Sequence, residues 1–299
     1  MKILITGGKG MLGRTLQRRL VQHELMVADL PEVDILNRDA LTREFAAFAP
    51  DVVVHCAAMT KVDDCESQPE LAFRLNGMGS ANVALAAKAC GARLIAISTD
   101  YVFAGFGPGE QPFFAASAPD GYLESDPPRP QTVYGRSKLA GEQSILDLLP
   151  SATIVRIAWL YGAGGPSFVH TMARLGAQAG EPLKVVNDQR GNPTSTDAVA
   201  ESLAFLLEHP EVRGVVHGTC TGVCSWYELT VELFRLLGIA RAVEPCTTEE
   251  FPRPAPRPAY SALAKGVLSK MGYAMPDWRK ALADFVAAEF KVQTRQGEP

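Results

Sequence analysis

TGGKGMLG, residues 6–13, sets four glycines between the apolar, β-branched run KILIT (2–6) and a helical pattern in which Leu12, Leu16 and Leu20 recur at four-residue intervals. A strand that feeds a glycine-rich turn and then a helix is the setting in which bare backbone can approach a pyrophosphate, with the helix N-terminus facing the negative charge. Two registers fit. Gly8, Gly10 and Gly13 match the general dinucleotide pattern, Gly7, Gly10 and Gly13 match a wider spacing, and the letters alone do not choose. A turn that binds nothing is the plain alternative; the strand before and the helix after put the nucleotide reading ahead of it. Asp29 lies 22 residues beyond Gly7, near the interval of ~20 at which an acidic side chain takes the ribose hydroxyls of a dinucleotide. That favours NAD(H), because a 2′-phosphate would meet a like charge. Arg14, just past the last glycine, either offers a guanidinium that would favour NADP(H) or is a solvated helix residue, so both cofactors stay open.

The alternation continues along the chain. LMVAD (25–29), DVVVHC (51–56), ARLIAIS (92–98) and ATIVRIA (152–158) are short apolar runs without polar alternation, as expected of strands covered on both faces. Helical patterns separate them, including the Ala-rich NVALAAKA from Asn82. The order predicts an α/β fold: a Rossmann-like, doubly wound parallel sheet with a smaller, mainly C-terminal substrate-binding lobe. A chain of 299 residues is expected to form two intimately joined units. The dinucleotide-binding unit spans 1–160, with 195–220 returning to it; the substrate-binding lobe spans 161–194 and 221–299. The glycines and prolines of 104–131 predict a long loop leading into a helix that carries Tyr134. The run FPRPAPRP (251–258) joins two final helices, expected at 261–272 and 277–289, to the body.

Hydrophobic residues at 47% and charged residues at 21% are ordinary for a folded soluble protein. With 29 basic and 33 acidic residues no positive surplus exists to hold a polyphosphate backbone, so no nucleic-acid partner is expected. No segment approaches the ~18 uninterrupted apolar residues that span a bilayer, and the N-terminal apolar run is too short for a signal peptide. Six cysteines (Cys56, Cys65, Cys90, Cys220, Cys224, Cys246) scattered through a large chain suit a reducing compartment, so the expectation is a cytoplasmic protein with no membrane partner. Cys220 and Cys224 lack the second pair of a zinc spacing, and His23, His170, His209 and His217 show no ligand spacing; no metal site is predicted. His55 reads as a packed core side chain, and Trp226 and Tyr227 as packing residues opening a helix capped by Ser225.

In TVYGRSKLAGE (132–142), Tyr134 and Lys138 stand four apart and so share a helix face. A phenol with a pKa of about 10 relays protons poorly at neutral pH, and lowering it by about three units takes about 4 kcal/mol. One positive charge ~4 Å away supplies about that much at an effective dielectric of about 20. Lys138 is therefore expected to tune Tyr134 into a general acid or base. Alone, the pair is also what an ordinary surface helix shows. STDYVF (98–103) raises its weight: it ends the fourth predicted strand, where open α/β sheets place ligands, and offers Ser98 or Thr99 to hold a carbonyl oxygen beside the phenol.

In order along nearly the whole chain, TGGKGMLG, CAAMTKVDDCE, STDYVF, YGRSKLAGE, WLYG and NDQRGNPT resemble the extended short-chain dehydrogenase/reductase family and, within it, the dTDP-4-dehydrorhamnose reductases. The resemblance implies reduction of the C4 keto group of dTDP-4-dehydro-L-rhamnose to dTDP-L-rhamnose, a step of nucleotide-sugar biosynthesis. It implies NADP(H) or NAD(H) as hydride donor, a nucleotide sugar as substrate, and a homodimer as the assembly to look for. Residue by residue it makes Thr99, Tyr134 and Lys138 catalytic: Thr99 orients the keto oxygen, Tyr134 protonates it, and Lys138 tunes the phenol and holds the nicotinamide ribose. Gly10, Met11, Leu12 and Gly13 fall on the pyrophosphate turn, Asp34 and Ile35 on the adenine contact, and Ala58, Met59 and Thr60 on the cofactor wall after the third strand. Asp100 and Trp159 fall on the sugar site. NDQRGNPT implies further substrate contacts, although Asn187, Asp188 and Gln189 could serve only a turn.

Two departures stand out. The stretch between Thr99 and Tyr134 is longer than the resemblance implies, and RPAYSAL (257–263) carries Tyr260 where an asparagine is usual. A sugar-nucleotide 4,6-dehydratase follows its threonine with an Asp-Glu pair, whereas Asp100 is followed by Tyr101. The alternatives kept are a reductase or epimerase of another NDP-4-keto-6-deoxysugar and a noncatalytic nucleotide-binding regulatory subunit, the latter weakened by an intact Tyr134 and Lys138.

Overall fold

The computed structural model describes residues 1–105 and 121–296, the last six without their side chains; part of the expected 104–131 loop, residues 106–120, lies outside the described residues. Six parallel strands form the central sheet: β1 (Lys2–Thr6), β2 (Glu24–Ala28), β3 (Val52–His55), β4 (Arg93–Thr99), β5 (Thr153–Ile157) and β6 (Gly214–His217). Their spatial order is β2-β1-β3-β4-β5-β6, so the winding reverses between β1 and β3, and a crevice opens beyond the carboxyl ends of those two strands.

The apolar runs lack polar alternation because both faces are covered. Ile3, Ile5, Val52, Val54, Ile95 and Val155 pack with Leu12 and Leu16 of the Met11–Arg19 helix and Val199 and Leu203 of the Thr196–Glu208 helix. The intervening residues Leu4, Val53, Leu94, Ala96 and Ile154 face the other way, onto Leu41, Phe45, Val83, Ala87 and Ile145 of three further helices. Each fully buried aliphatic side chain contributes about 1.5–3 kcal/mol. The first cluster continues into Leu229, Leu233 and Phe234 of the Trp226–Leu237 helix and Trp278, Leu282 and Phe285 of the Trp278–Gln296 helix. The C-terminal segments thus complete one core with the sheet. They also hold a small parallel pair, Leu183–Val186 with Val243–Cys246.

The helix expected at 261–272 is shorter, Gly266–Lys270. Its predicted first turn is instead extended, because the backbone finds partners elsewhere: Ser261 N donates to Arg190 O, Ala264 N to Tyr122 O, and Leu263 N to Asn192 Oδ1. The expected cap at Ser225 is present as a capping box, with Ser225 Oγ accepting from Glu228 N at 3.1 Å and Glu228 Oε2 accepting from Ser225 N at 2.7 Å. Among the described residues no helix is long and apolar enough to cross a membrane.

One buried ion pair sets the position of the Val133–Leu148 helix. Arg156 of β5 donates through Nε and Nη2 to both oxygens of Glu142, at 2.9 and 2.7 Å, with both side chains buried. Glu142→Gln should therefore cost about 3–5 kcal/mol, since the guanidinium is left charged in a dry site. A shifted urea midpoint at constant slope checks this; an unmoved midpoint would mean the pair does not anchor the helix.

Candidate active site

A cleft of about 920 Å³ lies over the carboxyl ends of the strands. Its floor begins at the glycine turn. Gly7 sits at φ +68, and a Cβ there would lie 2.6 Å from Ala57 N, so the turn passes flush against the end of β3. A Cβ on Gly13 would lie 2.5 Å from Gly7 O and from Gly8 Cα, which locks the helix onto its own turn. Gly7, Gly10 and Gly13 line the cleft, whereas Gly8 turns toward Val27. The wider of the two registers is the one that faces the cleft.

The Met11–Arg19 helix starts at Gly10 with no side-chain cap and no acidic residue in its first turn, so its leading amides are free to meet an anion. A cradle closed to any Cβ and an uncapped positive helix end fit the pyrophosphate of a dinucleotide. Asp29 follows β2 and accepts from Lys9 N and Leu30 N, both at 2.8 Å, so its carboxylate also fastens the turn. Lys9, unremarked in the sequence reading, lines the cleft, with Nζ 2.7 Å from Glu32 Oε2. Arg14 donates from Nε to Lys9 O at 2.8 Å and does not line the cleft.

Asp34, Ile35, Ala58 and Thr60 line the cleft, as do Met11 and Leu12. Met59 does not. Its N and O are held by the Asn76 side chain at 2.8 and 3.1 Å, and its own side chain packs among Cys65, Ala72, Val133 and Tyr134. Met59 supports the tyrosine from behind rather than walling a ligand. Asn76 belongs to a π-helical turn, Arg74–Gly79, an irregularity that often accompanies functional sites.

Thr99 ends β4, and Tyr134 enters from the first turn of the Val133–Leu148 helix. That turn is fixed by Thr132 Oγ1, which accepts from Gly135 N at 2.9 Å, and by Glu66 Oε1, which accepts from Val133 N at 2.7 Å. The Tyr134 phenol and the Thr99 side chain both line the cleft, and Thr99 pulls the phenol's pKa downward. Thr99 Oγ1 donates to Asp100 Oδ1 at 3.0 Å, and Ser261 Oγ donates to Asp100 Oδ2 at 2.6 Å. Burial raises the Asp100 carboxyl to about 6 against the pull of these hydroxyls.

The expected tuning of Tyr134 by Lys138 is not found. Burial pushes the phenol above its ordinary value; Thr99 counters it, and the nearby Asp100 and Cys65 add to it. Lys138 points its ammonium at Ile97 O, 2.8 Å away. Burial lowers this lysine to about 8, with Glu142 and Cys56 opposing. The expectation placed a solvated phenol beside a charge, whereas the phenol is buried and the ammonium is turned to Ile97 O. Tyr101 stands edge-on to Tyr134 at 5.6 Å, and Trp159 meets Trp226 face to face at 3.5 Å and 5°. Tyr101 and Trp226, which the sequence reading did not place in the site, also line the cleft; Tyr101 was visible inside STDYVF, whereas no local signal ties Trp226, read there as a packing residue, to Trp159.

The sequence model of the RmlD substrate binding domain family matches residues 1–290. The chain belongs to that family. A relative from Streptomyces antibioticus, a probable dTDP-4,6-dihydroxy-2-methyloxan-3-one 4-ketoreductase, is 42% identical over 99% of both chains. The solved dTDP-4-dehydrorhamnose reductase of Clostridium acetobutylicum superposes with a TM-score of 0.89 at 43% identity, covering 96% of this chain and 99% of that one. That of Bacillus anthracis, solved in complex with NADP, gives 0.89 at 37% identity, covering 96% and 98%. Among the described residues no cluster of histidine, cysteine or carboxylate side chains could hold a metal ion.

Gly13→Ala drives a methyl into the backbone of the turn and should cost about 1–3 kcal/mol, read by urea denaturation without ligand. An unchanged stability would mean that the turn can open, against the rigid cradle described.

Proposed function

We propose that this chain reduces the C4 ketone of dTDP-4-dehydro-L-rhamnose to dTDP-L-rhamnose, using NADPH or NADH. The observation that carries the reading is the gathering of Thr99, Tyr134 and Lys138 in the same cleft as an uncapped helix end. Membership of the RmlD family and its named reductase relatives support it. In this reading residues 1–160 and 195–220 form the dinucleotide half and residues 161–194 and 221–299 the sugar half.

Gly7, Gly10, Met11, Leu12 and Gly13 would hold the pyrophosphate, Asp29 and Lys9 the adenosine ribose end, Asp34 and Ile35 the adenine, and Ala58 and Thr60 the wall beside it. When bound, the reduced dinucleotide supplies the hydride. Thr99 has one hydrogen to give, and it passes from Asp100 to the incoming keto oxygen, fixing that oxygen beside the phenol. Tyr134, kept protonated by its burial, donates its proton as negative charge grows on the oxygen. A phenol that rests protonated suits reduction, in which the enzyme must deliver a proton. Lys138 keeps a positive charge at the base of the site and, in this role, holds the nicotinamide ribose. Asp100 and Trp159 would border the sugar.

A second reading, reduction of a different dTDP-4-keto-6-deoxy sugar, is favoured by the equal similarity of the Streptomyces antibioticus relative. Turnover of dTDP-4-dehydro-L-rhamnose with NADPH and with NADH tests the first; failure there with turnover of another 4-keto-6-deoxy sugar moves the substrate and keeps the chemistry.

Tyr134→Phe should lower kcat by about 10²–10⁴ while leaving NADPH affinity nearly intact, because only the proton is removed. Full activity would remove the tyrosine from its role. The pH profile has a defined sign as well. Lys138 is charged below about 8 and loses its proton above it, so kcat/KM should fall on the alkaline side from about 8. Lys138→Arg should move that limb upward; an unmoved limb would assign it to another group.

A further inference from the structure

The indoles of Trp159 and Trp226 form a feature of the cleft that the proton and hydride chemistry does not use. Trp159 lies two residues past Ile157, the cross-strand partner of Thr99, so it borders the place where a ketone must sit. Its backbone is at φ +48, a region a bulky side chain rarely adopts and one that persists only when the surroundings enforce it. Those surroundings come from the C-terminal half. Gly191 packs so close that an added Cβ would lie 2.7 Å from Trp159 Cε2, and Trp226 lies flat against the ring at 3.5 Å.

Trp226 is itself firmly held. Its Nε1 donates to Gln189 Oε1 at 3.0 Å, Gln189 Nε2 donates to Thr248 Oγ1 at 2.9 Å, and Thr248 Oγ1 donates to Asp188 Oδ1 at 2.7 Å. Ser225, just before it, caps its helix and donates from Oγ to Asn187 Oδ1 at 2.6 Å. Phe168 closes the far side at 4.5 Å. The end of the cleft they form is apolar, with Pro166, Val169 and Leu229 beside the two indoles.

We propose that Trp226 is a positioning residue for the sugar half of the substrate: it fixes Trp159 as a rigid apolar wall against which the deoxygenated edge of a 6-deoxy-4-ketohexose is held. This rests on the reductase reading. A sugar with a methyl group at its sixth carbon loses nothing by facing indole, whereas a hydroxymethyl would bury a hydroxyl without a partner.

The test uses the full-length enzyme with Trp226→Ala and Trp226→Phe. Stacked indoles give an exciton couplet in the far-ultraviolet circular dichroism, expected in the parent and lost in both variants. KM for dTDP-4-dehydro-L-rhamnose should rise about tenfold in Trp226→Ala and return near the parent value in Trp226→Phe, which restores a flat face. The kcat and the Kd for NADPH should stay within about threefold in both. A KM in Trp226→Ala equal to the parent's, a Phe variant as impaired as Ala, or a parent without a couplet overturns the proposal. Should the alanine variant fail to fold, Gln189→Leu, which releases the indole Nε1, should raise KM by about threefold; no rise has the same consequence. If the parent turns over no 4-keto sugar, the reductase reading fails; titration of the same variants with dTDP-L-rhamnose, read by tryptophan fluorescence, then decides the role of Trp226 by itself.

Discussion

The burial of the Tyr134 phenol and the Thr99 hydroxyl in one cleft joins two elements that the chain must bring together, the end of β4 and the start of the Val133–Leu148 helix. Thr99 arrives at the end of β4, where the parallel register delivers it beside Ile157. Tyr134 arrives on a helix held down by the buried Glu142–Arg156 pair and entered through the Thr132 cap. Both hydroxyls are buried, and burial decides their chemistry: a phenolate would be poorly solvated there, so the phenol keeps its proton until charge develops beside it.

The C-terminal half contributes more than a wall. Ser261 reaches Asp100 at 2.6 Å, and Asp100 in turn accepts from Thr99. Arg257 makes a two-pronged pair with Asp63, both contacts at 2.9 Å, and Ala255 N donates to the same carboxylate at 3.2 Å. The proline-rich run 251–258 is thereby strapped to the Val62–Ser67 helix. Tyr260 also forms an isolated bridge with Arg190. The sheet and the C-terminal segments share a hydrophobic core as well as these polar ties.

Much of this was legible in the sequence where local rules suffice. Uninterrupted apolar runs gave five of the six sheet strands, because a strand buried on both faces has no polar side to show, and TGGKGMLG announced its turn because only bare backbone fits at Gly7 and Gly13. Thr99, Tyr134, Lys138, Asp100 and Trp159 all reach one cleft. What failed depended on distant partners. The 261–272 helix lost its first turn to Arg190, Asn192 and Tyr122. Met59 was drawn away by Asn76, and the expected tuning by Lys138 gave way to a phenol whose burial raises it. Helical spacing places two side chains on one face; it does not say whether water surrounds them.

The protonation of Tyr134 is the point on which the account turns, and it can be read directly. With tyrosine labelled at the ring carbon bearing the hydroxyl, the carbon resonance assigned to Tyr134 by comparison with Tyr134→Phe reports the phenol's charge as pH is raised in the free enzyme. The account predicts no titration of this resonance up to about pH 10, the ordinary phenol value. A midpoint at about 7 would show a phenol already acidified by its lysine and would contradict the burial argument.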